Sequence, residues 1–195
     1  MQNNITSQNT SRLISTIKLP LQEEHRKRLA VIASADYSGV IRKTKEYYIE
    51  IGKPVSDEYL SEGIFGLQQY YAVALLDPAN AHAVSAPVDP FWHFHILHTQ
   101  DYFSFCDQVV GEYMHHQPLN HAVETQVENV RTLYQYTIEI LDKIFTEVNP
   151  HFWPEDFSDA AMICFHKGNQ ELYPSVQPIR LFAPDVRGRN YAFAE

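Results

Sequence analysis

The strongest constraint on the fold comes from residues 119–147, where apolar side chains recur at spacings of three and four. That period places them on one side of an α-helix, and its length predicts one long amphipathic helix. The residues on the predicted apolar side are Val123, Val127, Val130, Leu133, Tyr134, Ile138, Leu141 and Phe145.

Shorter segments upstream have helical patterns with clear start and stop signals. Gly52 and Pro54 end one helix, Ser56 is a good N-cap for the next, and Asp77 followed by proline ends that one. Asp89 followed by proline is typical of an N-cap and the first helical position. The predicted helices cover about 20–35, 38–51, 56–76, 90–112, 119–147 and 154–166, with an interruption at Gly39 and a loop over 78–88.

The chain contains no internal repeat, low-complexity block or heptad array. The pattern therefore predicts an all-α fold, a single compact domain of about five helices with little or no sheet. Residues 1–15 are expected to be a flexible N-terminus, 16–170 the helical, histidine-rich domain, and 171–195 an irregular C-terminal tail that contains several prolines.

The chain is acidic, since 24 Asp and Glu residues outnumber 15 Lys and Arg residues and give a formal net charge of −9. This charge disfavours nucleic acid and anionic membranes as partners. The polar N-terminus is not a secretory signal, and no apolar run is long enough to span a bilayer. We therefore expect a cytoplasmic protein, with Cys106 and Cys164 as reduced thiols.

Histidine is the unusual part of the composition, with ten residues in a chain of 195. Seven of them lie between residues 82 and 121, so imidazole side chains are concentrated in one segment. Imidazoles bind Zn, Fe, Cu and Ni well, and the segment therefore predicts a functional site. The seven are His82, His93, His95, His98, His115, His116 and His121; of the ten, His25, His82, His151 and His166 are expected to be structural.

Helical spacing within residues 90–112 permits two arrangements of this site. In the first, His95 and His98 share a stripe of the helix that Tyr102 and Cys106 extend at intervals of four. In the second, His93 points to the other side of the helix, where Asp89 can orient it or bind a metal with it. The histidines at 115, 116 and 121 follow the helix end and can fold back as ligands from a second element.

The candidate site draws on both arrangements. Tyr102 is expected to donate a proton or to form a hydrogen bond with the substrate. Cys106 is the candidate nucleophile beside an imidazole, and Asp89 is the candidate carboxylate. The alternative for Tyr102 and Cys106 is a place in the apolar core. The predicted catalytic residues are Tyr102, Cys106 and Asp89, and the predicted metal ligands are His93, His95, His98, His115 and His116.

The segment VDPFWHFHILHTQDYFSFCDQVVGEYMHHQP, residues 88–118, resembles the signature of the glycine-rich domain-containing protein-like family. The resemblance implies that the Trp-His-x-His and His-His-x-Pro segments lie together. His98 stands where relatives often carry an acidic residue, and the chain lacks the glycine-rich segment that names the family. The matching positions are Asp89, Trp92, His93, His95, Tyr102, Cys106, Gly111, His115, His116 and Pro118.

These features predict a metal-dependent enzyme, an oxidoreductase or hydrolase, that acts on a small molecule or a peptide side chain. The histidine cluster would hold Fe or Zn, with Cu also compatible, and leave one coordination position open for water, dioxygen or substrate. The alternative is a non-catalytic interaction module in which a closed metal site or a buried network of His and Cys residues joins helices.

Overall fold

The computed structural model describes residues 12–111 and 113–156 and the backbone of residues 162–166. A single helical turn at residues 12–15 comes before the longer helices. The helices are α1 (Glu23–Ser34), α2 (Ser38–Glu50), α3 (Asp57–Leu76), α4 (Asp89–Leu97), α5 (Thr99–Val109) and α6 (Glu124–Ile144). The strands are β1 (His82–Ser85), β2 (Gln117–Pro118) and β3 (Met162–His166).

Helix α3 is the centre of the domain because its sequence has no charged residue after Glu62. Every residue from Gly63 to Leu76 is buried. A helix without a polar face must be covered on all sides. The elements that pack against it are α1, α2, α4, α6 and β1.

The elements around α3 also pack against each other. Helix α2 contacts α4, and α1 contacts α5, so the loop between α1 and α2 lies over the junction of α4 and α5. Helix α6 packs against β1 and β3. Helices α1, α2, α4 and α5 surround the candidate site described below.

The predicted continuous helix over 90–112 is wrong at His98. Helix α4 ends at Leu97 and α5 begins at Thr99, with His98 between them at φ −86° and ψ 62°. The backbone N–H of His98 donates to the carbonyl of His95 at 3.0 Å, one residue short of its α-helical partner. The apolar period continues across the break, so periodicity does not reveal it.

A small antiparallel sheet in the order β1–β3–β2 lies within the described residues. The predicted loop over 78–88 contains β1, which is buried along its length. The predicted helix over 154–166 is wrong over Met162–His166, where β3 pairs with both β1 and β2. A short apolar run suits either a strand or a buried helix, and here strand pairing decides between them.

The predicted class, a single compact all-α domain, is confirmed. The segments 38–51 and 56–76 match α2 and α3, and Ser56 caps α3 by accepting a hydrogen bond from the N–H of Tyr59 at 3.1 Å. Gly52 ends α2 in a left-handed conformation with φ 73°.

The C-terminal tail predicted over 171–195 lies outside the described residues. Among the described residues, no helix combines the length and apolar character that crossing a membrane requires.

The close packing of α3 on α4 depends on Gly63, because a methyl group there would overlap the ring of Phe91. We expect Gly63→Ala to lower the free energy of unfolding by about 1–3 kcal/mol, as overpacked core substitutions do. Urea titration followed by circular dichroism measures this change. Glu58→Ala, in the exposed first turn of α3, is the control and should change stability by no more than about 0.5 kcal/mol. Equal stability of Gly63→Ala and wild type would contradict this packing.

Candidate functional site

A cavity of about 590 Å³ opens between the end of α1, the start of α2, and the α4–α5 junction. Its size is in the range typical of sites for small molecules. Buried side chains of Val40, His95 and Phe105 line it, whereas its other lining residues are more exposed. We call this space the imidazole cavity, because both His95 and His98 line it.

The exposed rim of the imidazole cavity is polar. Asp36 and Asp101 contribute carboxylates and Arg42 contributes one guanidinium. The Asp36 carboxylate accepts the backbone N–H of Ser38 at 2.9 Å, and this hydrogen bond holds the pKa of Asp36 below its usual value. Hydroxyl and amide groups complete the rim, from Ser34, Ser38, Ser104 and Gln108.

His95 is nearly enclosed, with 4% of its surface exposed. Its ring lies edge-on to aromatic rings at centroid distances of 5.0–5.7 Å. Its Nδ1 forms a hydrogen bond of 2.7 Å with the hydroxyl of Tyr71, a fully buried residue of α3. The surrounding rings belong to Tyr37, Tyr71, Tyr102 and Phe105.

The Tyr71 hydroxyl fixes the tautomer of His95. Within the described residues, His95 Nδ1 is the only acceptor that this hydroxyl reaches, and a buried donor needs an acceptor. Burial raises the pKa of Tyr71 well above its ordinary value, so the hydroxyl keeps its proton and donates it. Neutral His95 therefore has its proton on Nε2.

Burial also keeps His95 uncharged. Desolvation, with a smaller contribution from neighbouring His98, lowers the pKa of His95 to about 4. The imidazole is therefore neutral at pH 7. Its Nε2–H makes no hydrogen bond to a described residue, which leaves a nearly buried donor at the wall of the imidazole cavity.

His98 has the opposite tautomer because of the helix break. Since its backbone N–H turns to His95, the carbonyl of Phe94 loses its helical partner, and His98 Nδ1 lies 2.8 Å from that carbonyl oxygen. A carbonyl can only accept, so Nδ1 carries the proton and neutral His98 has its lone pair on Nε2. The imidazole cavity therefore contains one imidazole donor and one imidazole acceptor.

Gly39 provides the space for the acceptor. A Cβ atom at this position would lie 2.6 Å from His98 Nε2. Real side chains do not approach so closely, so any larger residue at position 39 would displace the imidazole that is tied to Phe94. In the sequence, Gly39 is visible only as an interruption of a helical pattern, and its role follows from the packing of α2 against α4.

A second group of candidate residues lies at the start of α4. His116 Nε2 is 2.9 Å from Oδ1 of Asp89, and the ring of His93 stands perpendicular to the ring of His116 at 5.3 Å. The Trp92 ring is also close, 4.9 Å from His116. The Trp-His-x-His segment and His116 thus lie together, while His95 points to the other side of α4.

The remaining candidates lie apart from both groups or inside the core. His115 is exposed and packs on Tyr113 at 4.8 Å. The buried hydroxyl of Tyr102 accepts from Trp92 Nε1 at 2.9 Å and donates to the carbonyl of Met114 at 2.7 Å. Cys106 is buried one turn beyond Tyr102. Tyr102 and Cys106 therefore contribute to the packing of α5, and neither lines the imidazole cavity.

The five predicted metal ligands are divided because residues two apart on a helix point to different sides. In the part of the chain that the structure describes, no three His, Cys, Asp or Glu side chains are grouped so that they could hold a metal ion. The stripe of His95, His98, Tyr102 and Cys106 does not form, since the helix break at His98 changes the direction of the chain.

The residue of the candidate site that the sequence does not reveal is Tyr71. It lies on the apolar side predicted for residues 56–76, where a tyrosine is indistinguishable from a core aromatic.

Another buried polar cluster forms around Asp77, which accepts from Tyr136 at 2.6 Å and from Asn80 at 2.7 Å. His82 joins it with Nε2 3.2 Å from the Asp77 carboxylate. This cluster links the end of α3, β1 and α6.

Comparison with known protein families gives a match over most of the chain. A family model described as UCP032817-like matches residues 22–144, which include all six helices from α1 to α6. Searches among curated proteins and among solved structures each found no match. The assignment to the glycine-rich domain-containing protein-like family, which rested on a motif of about thirty residues, is therefore wrong. The chain belongs to the UCP032817-like family.

Proposed function

We propose that the imidazole cavity is the active site of an enzyme that acts on a small molecule by acid–base chemistry. His95 is the hydrogen-bond donor to a substrate oxygen, and His98 is the proton acceptor. The observation that carries this proposal is the pair of imidazoles with opposite tautomers in one cavity, fixed by Tyr71 and by the carbonyl of Phe94.

The environment of His95 supports the role of donor. A neutral imidazole can donate a hydrogen bond to a developing oxyanion, and the low pKa of His95 keeps this imidazole neutral. Its preorganised position, with Nδ1 held by Tyr71, avoids reorganisation during reaction.

The environment of His98 supports the role of base. Imidazole is the side chain most often used for proton transfer near neutral pH. The bond from His98 Nδ1 to the Phe94 carbonyl holds the ring so that Nε2 keeps its lone pair. The interaction-module alternative requires no open cavity beside these imidazoles, and the exposed rim argues for the enzyme.

Asparagine variants test this proposal, because asparagine can replace Nδ1 while it removes Nε2. A fragment library screened by ligand-observed NMR should give ligands whose dissociation constants rise about tenfold in His95→Asn and His98→Asn, as expected for one lost hydrogen bond. Gly39→Ala should weaken the same ligands by displacing His98. His121→Asn, at an exposed position outside the cavity, should bind them as wild type does.

The folded state of each variant is checked by its thermal unfolding midpoint. Equal affinity of all ligands for wild type, His95→Asn and His98→Asn, or no ligand for a folded wild-type protein, would overturn the proposal.

A metal-dependent enzyme is the second candidate function. It is favoured by one observation, the contact between Asp89 and His116 with the ring of His93 beside it. Because these three side chains are not grouped to hold an ion in the described part of the chain, the metal would have to draw them together. Two histidines and a carboxylate are a ligand set typical of non-haem iron, and zinc and copper also bind imidazoles. A metal there would take the place of the hydrogen bond between His116 and Asp89.

Elemental analysis tests the second candidate with protein purified without chelator or histidine tag. This candidate predicts about one equivalent of Fe, Zn or Cu, lost in His93→Ala and His116→Ala because each removes a ligand. His121→Ala is the control and should keep the metal. Folded wild-type protein that stays metal-free after reconstitution with each metal would contradict the candidate.

A further inference from the structure

We infer that the substrate of the imidazole cavity is a neutral, polyhydroxylated carbonyl compound, of the chemical class of small unphosphorylated aldoses and ketoses. This inference rests on the proposed function and adds the substrate class. It comes from matching the two imidazoles and the polar rim to the groups that a ligand must present to them.

The wall of the cavity selects a carbonyl group next to a carbon–hydrogen or oxygen–hydrogen bond. Only 4% of the surface of His95 is exposed, and its Nε2–H makes no hydrogen bond to a described residue. This donor therefore needs an acceptor on the ligand. A carbonyl oxygen is the simplest acceptor for that donor. His98, three residues further along the chain and in the same cavity, offers a lone pair to the neighbouring atom of the ligand.

The rim selects hydroxyl groups and disfavours anions. The rim contains two carboxylates, from Asp36 and Asp101, and one guanidinium, from Arg42. Carboxylates accept hydrogen bonds from hydroxyl groups, whereas they repel a phosphate or a carboxylate on a ligand. Serine hydroxyls and the Gln108 amide can both donate and accept, which matches several hydroxyl groups along a carbon chain.

Apolar groups make up about half of the cavity surface. Val40 and Phe105 are buried there, and they can cover the C–H face of a short carbon skeleton. A ligand with a large apolar body would leave much of its surface against the charged rim. The arrangement therefore fits a compact molecule that combines a short carbon skeleton with hydroxyl groups and one carbonyl group.

The reaction that the two imidazoles support on such a molecule is a proton transfer between adjacent carbons. His98 Nε2 removes the proton from the carbon that bears a hydroxyl group, and the C–H electron pair forms a carbon–carbon double bond. The carbonyl π pair moves to oxygen, where the His95 Nε2–H donates to the developing charge. The hydroxyl proton moves to that oxygen, and His98 returns its proton to the former carbonyl carbon. The product is an isomer, and no oxidant, reductant or co-reactant is consumed.

The test is solvent hydrogen exchange in D₂O, followed by NMR with the full-length protein. The probes are dihydroxyacetone, glyceraldehyde, erythrulose and xylose, with glycerol as the probe that lacks a carbonyl and glycerate as the anionic probe. We expect deuterium incorporation at the carbon next to the carbonyl in at least one carbonyl probe. The rate should fall about 100-fold in His98→Asn, which loses the base, and in His95→Asn, which loses the donor. His121→Asn should exchange at the wild-type rate.

Binding of the same probes separates the two proposals. If fragments occupy the imidazole cavity but the carbonyl probes bind no better than glycerol or glycerate, or show no catalysed exchange, the substrate class is wrong and the proposed function stands. If neither fragments nor probes bind, the proposed function fails and the substrate class with it. Exchange that is equally fast in wild type and His98→Asn would also overturn the inference.

Discussion

Helix α3 is buried from Gly63 to Leu76, so its polar side chains meet other elements of the fold instead of water. Three consecutive residues show the consequence. Gln69 donates to the carbonyl of Glu147 at 2.7 Å, Tyr70 to the carbonyl of His82 at 3.3 Å, and Tyr71 to the imidazole of His95 at 2.7 Å. These bonds connect α3 to the segment after α6, to β1 and to α4, and the third connection sets the chemistry of the candidate site.

The break between α4 and α5 also determines the hydrogen bonding of an imidazole in the candidate site. The backbone of His98 leaves the helical path, and its side chain caps the carbonyl that this departure frees. The same bond selects the tautomer of His98. Both imidazoles of the cavity thus obtain their protonation pattern from a bond that also stabilises the fold, and Gly39 supplies the space in which His98 lies.

Much of the helical architecture follows from the sequence, because periodicity and capping are local signals. The helix over 56–76, with its cap at Ser56, and the amphipathic helix that became α6 are examples. The strand at Met162–His166 could not be predicted, since its pairing partners are distant in the sequence. The break at His98 is local, but it could not be predicted because the apolar period continues across it.

The histidine-rich segment supplies two of the residues that line the imidazole cavity, but the packing around them is not visible in the sequence. Counting histidines identified residues 82–121, and spacing separated His93 from His95. The role of Tyr71 depends on the packing of α3 against α4, which no local pattern contains. One of the aromatic residues around His95 is Tyr102, for which a place in the apolar core is the alternative prediction. Burial of the imidazole among these rings is what lowers its pKa.

The central claim is that His95 and His98 have opposite tautomers in one cavity. Long-range ¹H–¹⁵N correlation spectra of the imidazole rings at pH 7 test it directly, with assignment by His95→Asn and His98→Asn. The account predicts a proton on Nε2 and a bare Nδ1 for His95, and, in the neutral form of His98, a proton on Nδ1 and a bare Nε2. The same tautomer in both residues, or an imidazolium at His95, would contradict it.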